Sequence, residues 1–274
     1  MKENLKNIKI SFIGGGHLAH SLVAGLTRAG GIASENICVS GRNAGRLEEF
    51  RRDFEVDITS DNASSVSSAN IVFLTVRPNQ MQEAVKSFIN GESASDKIFI
   101  SPAAGLPISR LAEYLGAGAK IIRCMPNTPS MLGEGMNAIC PGKNVADADL
   151  ALVKDVFSLL GRCEVVTEDL FDTVTGVSGS GPAYIYLFID AMARAAQNDG
   201  MTRDMSVKFA AQTALGAAKM VLETGQDPES LCESVCSPGG TTIEAVSRLK
   251  EADIYGLINK AQHACVEKSR ALGK

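Results

Sequence analysis

The chain has 274 residues, 45% of them hydrophobic, and a formal net charge of -4. That length holds one large domain or two ordinary ones, and the apolar fraction is normal for a folded globular protein. The slight acidity removes an electrostatic motive for nucleic-acid binding, the absence of Trp leaves few stacking platforms, and no apolar run is long enough to span a bilayer.

Residues 1–7 are charged and run straight into a strand pattern, which argues against a secretory leader. Residues 8–13 read as strand and 17–29 as helix. A second strand at 37–40 precedes a helical stretch near 47–54. Segments 71–76 and 98–101 are near-continuous apolar strands, the pattern of a parallel sheet covered on both faces. Strands are expected again at 121–124 and 138–140, then an amphipathic helix at 147–160. This alternation predicts an α/β fold whose N-terminal, Rossmann-like domain covers 1–165, and Gly14-Gly15-Gly16 after its first strand makes it a dinucleotide-binding domain.

Beyond Val166 the strand-like runs stop. Helices are expected at 182–198, 205–224, 229–236, 241–250 and 254–272, an all-helical dimerisation and substrate domain over 166–274. The first of these is apolar on nearly every face from Ala183 to Met192. One small domain cannot cover such a helix, so a partner subunit is expected to. The seven cysteines lack zinc-site spacing; Cys232 and Cys236 stand four apart without a second pair. No metal is expected, the thiols read as buried or inert, and a reducing cytoplasm fits them.

Gly14-Gly15-Gly16-His17-Leu18-Ala19 fits G-x-G-x-x-A between a strand and a helix. Gly14 allows a tight turn, Gly16 lets the backbone approach a pyrophosphate at the helix N-terminus, and Ala19 allows close packing. His17 and Leu18 complete the cofactor turn. An NAD site carries an acid at the end of the second strand. Here that end reads Ser40-Gly41-Arg42-Asn43, with Arg46 one turn on, hydroxyl and guanidinium donors that suit a 2′-phosphate. NADPH is the expected cofactor, with NADH second; solvated surface arginines are the bland alternative. Thr75, Val76, Arg77 and Pro78, then Ala103, Ala104 and Gly105, then Asn127, all follow later strands, where open α/β sheets place ligands.

Two glycine-rich Ser/Pro segments, 178–184 and 237–242, interrupt the helical half. Small residues let backbone N–H groups approach a ligand, so each is a seat for a small anion. Helix capping by Ser178, Ser180, Thr241 or Thr242 is the alternative. His17, His20 and His263 are the three histidines, and none is placed to serve as acid–base on a substrate hydroxyl. The hydroxyls of Thr175, Ser178, Ser180, Ser237, Thr241 and Thr242 orient a substrate but supply a strong acid poorly. Such a site suits reduction of a protonated C=N bond better than reduction of a ketone.

The ordered motifs Phe12-Ile13-Gly14-Gly15-Gly16, Val72-Phe73-Leu74-Thr75-Val76-Arg77-Pro78, Ser101-Pro102-Ala103-Ala104-Gly105 and Arg123-Cys124-Met125-Pro126-Asn127-Thr128-Pro129 resemble the pyrroline-5-carboxylate reductase family. So do Asp172-Thr173-Val174-Thr175-Gly176-Val177-Ser178-Gly179-Ser180-Gly181-Pro182-Ala183-Tyr184 and Val235-Cys236-Ser237-Pro238-Gly239-Gly240-Thr241-Thr242. The resemblance implies hydride transfer from NADPH, or less readily NADH, to C5 of 1-pyrroline-5-carboxylate, the last step of proline biosynthesis. It implies a homodimer with interleaved helical domains, extending to a decamer built from dimers. By motif position, Ser237, Gly239, Gly240, Thr241 and Thr242 hold the substrate carboxylate, Thr175 faces the imine nitrogen, and Asn62 lies near the adenosine. Two positions depart from the pattern: Arg77 stands where lysine is usual and His17 where Asn is frequent. Two rivals share parts of the layout. A β-hydroxy-acid dehydrogenase needs a poised lysine, for which Lys208 and Lys219 are the candidates. A regulator binding a dinucleotide or pyridoxal phosphate needs a degenerate substrate loop.

Overall fold

The computed structural model describes residues 5–89 and 96–272. Eight strands form one sheet: β1 (Ile10–Ile13), β2 (Ile37–Ser40), β3 (Asp57–Thr59), β4 (Ile71–Leu74), β5 (Ile98–Ser101), β6 (Lys120–Met125), β7 (Gly135–Pro141) and β8 (Gly161–Val165). Their spatial order is β3-β2-β1-β4-β5-β6-β7-β8, parallel throughout except between β6 and β7. From β1 the chain runs outward through β2 and β3, then returns to lay β4 on the other side of β1. That reversal is the topological switch point of a doubly wound sheet, and it opens a crevice beyond the carboxyl ends of β1 and β4.

Helices α1 (His17–Ala29), α2 (Ala44–Phe54), α3 (Asn62–Ser67), α4 (Met81–Lys86), α5 (Ile108–Leu115) and α6 (Asp147–Ser158) connect these strands. Strand side chains alternate between two buried faces. Ile10 and Phe12 of β1, with Ile71 and Phe73 of β4, join the core under α1, α2 and α6. Ile13, Val72 and Leu74 join Phe99, Val85 and Leu111 on the opposite face. Phe12 stacks on Phe73 with ring centroids 4.8 Å apart. The four residues of β1 and of β4 are all buried, so β4 shows no polar alternation in the sequence, and in β1 the buried Ser11 has its hydroxyl 2.6 Å from Ser65 Oγ.

β3, β8, α3, α4 and α5 were not anticipated. β3 and β8 are edge strands whose residues include Asp57, Arg162 and Glu164. Edge strands need no continuous apolar run.

The second half is helical as expected: α7 (Phe171–Val174), a π-helical turn at Thr175–Gly179, α8 (Gly181–Asn198), α9 (Arg203–Thr224), α10 (Pro228–Ser234), α11 (Thr241–Glu251) and α12 (Ile254–Leu272). The chain divides into two compact units. One runs through Ser180 and resumes at Cys265; the other is Gly181–Ala264. The expected boundary at 165/166 lies within the first of these units, in which α7 and its π turn pack with the sheet. Phe171 is buried with Met125, Ala138 and Cys140, and Ser269 Oγ donates to Asp172 Oδ1 at 2.6 Å.

The helix expected to be buried on every side is not buried within one chain. Leu187 is 72% exposed and Tyr186 60%, with Ile185 and Phe188 also open. None of the described helices is long and apolar enough to cross a membrane.

Candidate active site

The crevice is floored by the glycine turn. Gly14 sits at φ +110°, and a Cβ there would lie 2.9 Å from Thr75 O. No side chain fits, for reasons of both conformation and space. Hydrogen bonds lock the turn: Gly14 N donates to Ser40 O (2.8 Å), Thr75 N to Ile13 O (2.9 Å), and Thr75 Oγ1 to Gly14 O (2.8 Å). Gly16 is the N-cap of α1 and has no side-chain cap. A Cβ on Gly16 would meet no protein atom within 4 Å. Its bareness leaves room at the helix N-terminus, where the open N–H groups and the helix dipole favour an anion. A cavity of about 690 Å³ extends from this turn. These features fit a dinucleotide, with pyrophosphate at α1 and ribose toward the end of β2.

The ribose end is cationic. Arg42, Arg46 and Arg77 line the cavity, as do Asn62, Thr75 and Val76. Ser40 also lines the cavity; it is buried, and its hydroxyl donates to Asn62 Oδ1. Its work is to fix Asn62, whose Nδ2 donates to Ser87 Oγ at 2.8 Å. Asn43, Ser60, Gln80, Glu83 and Ser87 also line the cavity and were missed. All but Asn43 sit on or beside β3 and α4, which sequence patterning had not revealed.

Other expected cofactor residues lie outside this cavity wall. His17 is exposed at the first position of α1, and Leu18 packs against the core beneath it. Pro78 is exposed, Ala103 is buried, Ala104 is half-buried, and Gly105 turns the chain at φ +74°.

Asn127 faces protein groups. Its Nδ2 donates to Ser178 O (3.0 Å) and its Oδ1 accepts from Met136 N (3.1 Å). The side chain thereby ties the end of β6 to the π turn carrying Thr175. π turns are rare and concentrate at functional sites. Within this turn Ser180 N donates to Thr175 O at 2.8 Å, and Gly179 lets Met125 approach. The Thr175 hydroxyl donates to Phe171 O at 2.8 Å, and Ser178 Oγ donates to Val174 O at 3.2 Å. Thr175 thus has its proton committed and its lone pairs available.

Beneath the turn, the buried Arg123 guanidinium lies 4.6 Å from the Phe171 ring centroid. Its Nη1 is 3.2 Å from Glu168 Oε1, which also accepts from Ile108 N at 2.7 Å. This knot holds the start of α7 against the sheet.

In the second unit, the 237–242 segment turns at Gly239 (φ +73°), and Gly240 N donates to Ser237 O at 2.9 Å. Gly240, extended, is the N-cap of α11, and no side chain caps the helix. Neither Thr241 nor Thr242 is a cap. Their hydroxyls stand with the uncapped N–H groups on an exposed helix start, and Ser237 is exposed beside them. Lys208 is paired with Asp204 at 2.7 Å and Lys219 is exposed. Burial raises the Cys124 thiol well above its ordinary value and Cys163 to about 11, in keeping with inert sulfurs. Among the described residues, no three His, Cys, Asp or Glu side chains cluster to hold a metal.

A doubly wound sheet, an open glycine turn at its switch point and arginines at the ribose end define a nicotinamide-dependent oxidoreductase. Residues 9–105 match the family model described as NADP oxidoreductase, coenzyme F420-dependent, and 168–272 match pyrroline-5-carboxylate reductase dimerisation. The chain is 40% identical to a pyrroline-5-carboxylate reductase of Methanosarcina acetivorans over 98% of this chain and 100% of that one. It is 40% identical to that of Escherichia coli over 97% and 98%. The crystal structure of Plasmodium falciparum pyrroline carboxylate reductase with NADP bound superimposes with a TM-score of 0.88 at 31% identity, covering 98% of this chain and 100% of that one. The chain belongs to the pyrroline-5-carboxylate reductase family.

Proposed function

We propose that this protein reduces 1-pyrroline-5-carboxylate to L-proline with NADPH, closing proline biosynthesis in the cytoplasm, and that it works as a homodimer. The observation that carries this reading is the end-to-end likeness to reductases of this name, with the 237–242 segment intact. NADPH, when bound, supplies a hydride to C5 of the imine. As that bond forms, the C=N π electrons move to nitrogen, which becomes a secondary amine.

The chain's own groups bind and orient. The glycine turn and the α1 N-terminus take the pyrophosphate; Arg42, Arg46 and Arg77 serve the ribose phosphate. The uncapped start of α11, with Ser237, Gly239, Gly240, Thr241 and Thr242, takes the substrate carboxylate. Thr175 takes the ring nitrogen. Because its proton goes to Phe171 O, its lone pairs accept the N–H of an imine that arrives protonated.

The exposed apolar faces of α8 and α9, including Leu187 and Phe209, support dimerisation through the helical half, which matches the dimerisation model. A decamer built from five such dimers is the larger assembly that sedimentation would resolve. The test of the activity is NADPH consumption with the cyclic imine, run beside 3-hydroxy acids with NADP. Turnover of the hydroxy acids, and not the imine, would transfer the chain to the dehydrogenase reading.

A further inference from the structure

The mouth of the cofactor cavity carries an ion pair that the activity does not explain. Arg42, just past β2, places Nη1 3.3 Å from Oε1 of Glu83 on α4, and both side chains are 74% exposed. The partners are 41 positions apart in sequence and stand on opposite lips of the crevice, unlike within-helix pairs such as Arg51 and Glu48. Both line the cavity, and among its described lining residues Glu83 is the only acid. The surrounding side chains are cationic or neutral: Arg46, Arg77, Asn43, Gln80 and Ser87.

Arg42 stands where a doubly wound sheet reads the adenosine ribose, and no acid follows β2 to take a 2′-hydroxyl. A 2′-phosphate and Glu83 therefore compete for one guanidinium. They also repel each other, since both are anions facing the same small volume. A cofactor with a bare 2′-hydroxyl meets neither penalty, and its hydroxyl can donate to the carboxylate.

We propose that Glu83 is a specificity-determining residue, which holds Arg42 until a 2′-phosphate displaces it and so limits the preference for NADPH over NADH. The proposal rests on the NADPH reading above. It assigns the moderation of that preference to an acid on α4, distant in sequence from the glycine turn and the β2 end. An exposed ion pair is cheap to open, so the effect is a tuning one and not a block.

The test is calorimetric titration of the full-length protein with NADPH, NADH, adenosine 2′,5′-bisphosphate and adenosine 5′-phosphate, for wild type, Glu83→Gln, Arg42→Gln and the double variant. Glu83→Gln should tighten NADPH and the bisphosphate about three- to fivefold, with NADH and the monophosphate moving less than about twofold. The gain should shrink as salt rises, because exposed charges are screened. Arg42→Gln should weaken NADPH, and adding Glu83→Gln to it should recover little. An NADPH affinity that is unchanged or weaker in Glu83→Gln overturns the proposal. So does an equal gain on NADH, or the full gain persisting without Arg42. A wild-type protein that binds neither dinucleotide overturns the cofactor reading itself, which these variants then separate from the role of Glu83.

Discussion

Replacing Asn127 with alanine should damage turnover while sparing the cofactor. The side chain is 8% exposed and makes two hydrogen bonds, to Ser178 O at 3.0 Å and from Met136 N at 3.1 Å. Truncation leaves a carbonyl and an amide short of partners. Each unsatisfied group costs about 1–3 kcal/mol, and water entering at the half-buried Ser178 offsets part of that, so the variant should lose roughly 2–4 kcal/mol of stability. The released π turn carries Thr175. A displacement of about 1 Å at a reacting group is worth up to roughly a hundredfold in rate, so kcat should fall ten- to a hundredfold, on that order. Asn127→Asp keeps the acceptor for Met136 N but sets an oxygen against Ser178 O; it should lose kcat comparably and retain more stability. Stopped-flow turnover, NADPH titration and urea unfolding read the three quantities separately. The reasoning is refuted if NADPH affinity drops tenfold while saturated kcat holds, for then Asn127 is a cofactor ligand and not a brace.

Thr175→Ala should cost roughly ten- to a hundredfold in kcat with little change in melting temperature, because the lost bond to Phe171 O is a back-bond of small net worth. Thr175→Ser should keep most activity, and an alanine variant that turns over like wild type would make the residue structural. Gly25→Ala should destabilise by about 3 kcal/mol or more, since the new Cβ would lie 2.2 Å from Ser130 O and 2.6 Å from Leu160 Cδ2. Unchanged urea unfolding would contradict that packing. Cys124, and Cys163 with its thiol at about 11, should stay unmodified by a thiolate-selective reagent near pH 8 in the native protein and react on unfolding. Their labelling should quicken as pH rises toward 11, because only the thiolate attacks; fast native labelling at the lower pH would show the burial to be wrong.

The strands that build the switch point were legible because β1, β4 and β5 are short apolar runs buried on both faces. The glycine turn was legible for a related reason: its bare residues sit between a readable strand and a readable helix. β3 and β8 hid because edge strands carry charges. With β3 and α4 unread, Ser60, Gln80, Glu83 and Ser87 could not be assigned to the cavity. Ser40 looked like a free hydroxyl because nothing local in the sequence says that Asn62 would accept from it. Gly25 looked like an ordinary helix glycine, since the carbonyl that excludes a side chain comes from Ser130, over a hundred positions away. Thr175 was singled out by motif resemblance alone, and the direction of its hydroxyl depends on the carbonyl of Phe171. The apolar girth of α8 did carry a readable message. It signals a face that one chain leaves open, in the half that matches the dimerisation model.

The most direct test of the central claim is product analysis after incubating the purified protein with NADPH and 1-pyrroline-5-carboxylate. The account predicts one L-proline formed for each NADPH oxidised, with rates higher than with NADH. NADPH that binds but is not oxidised by the imine, or that is oxidised without proline appearing, would contradict it.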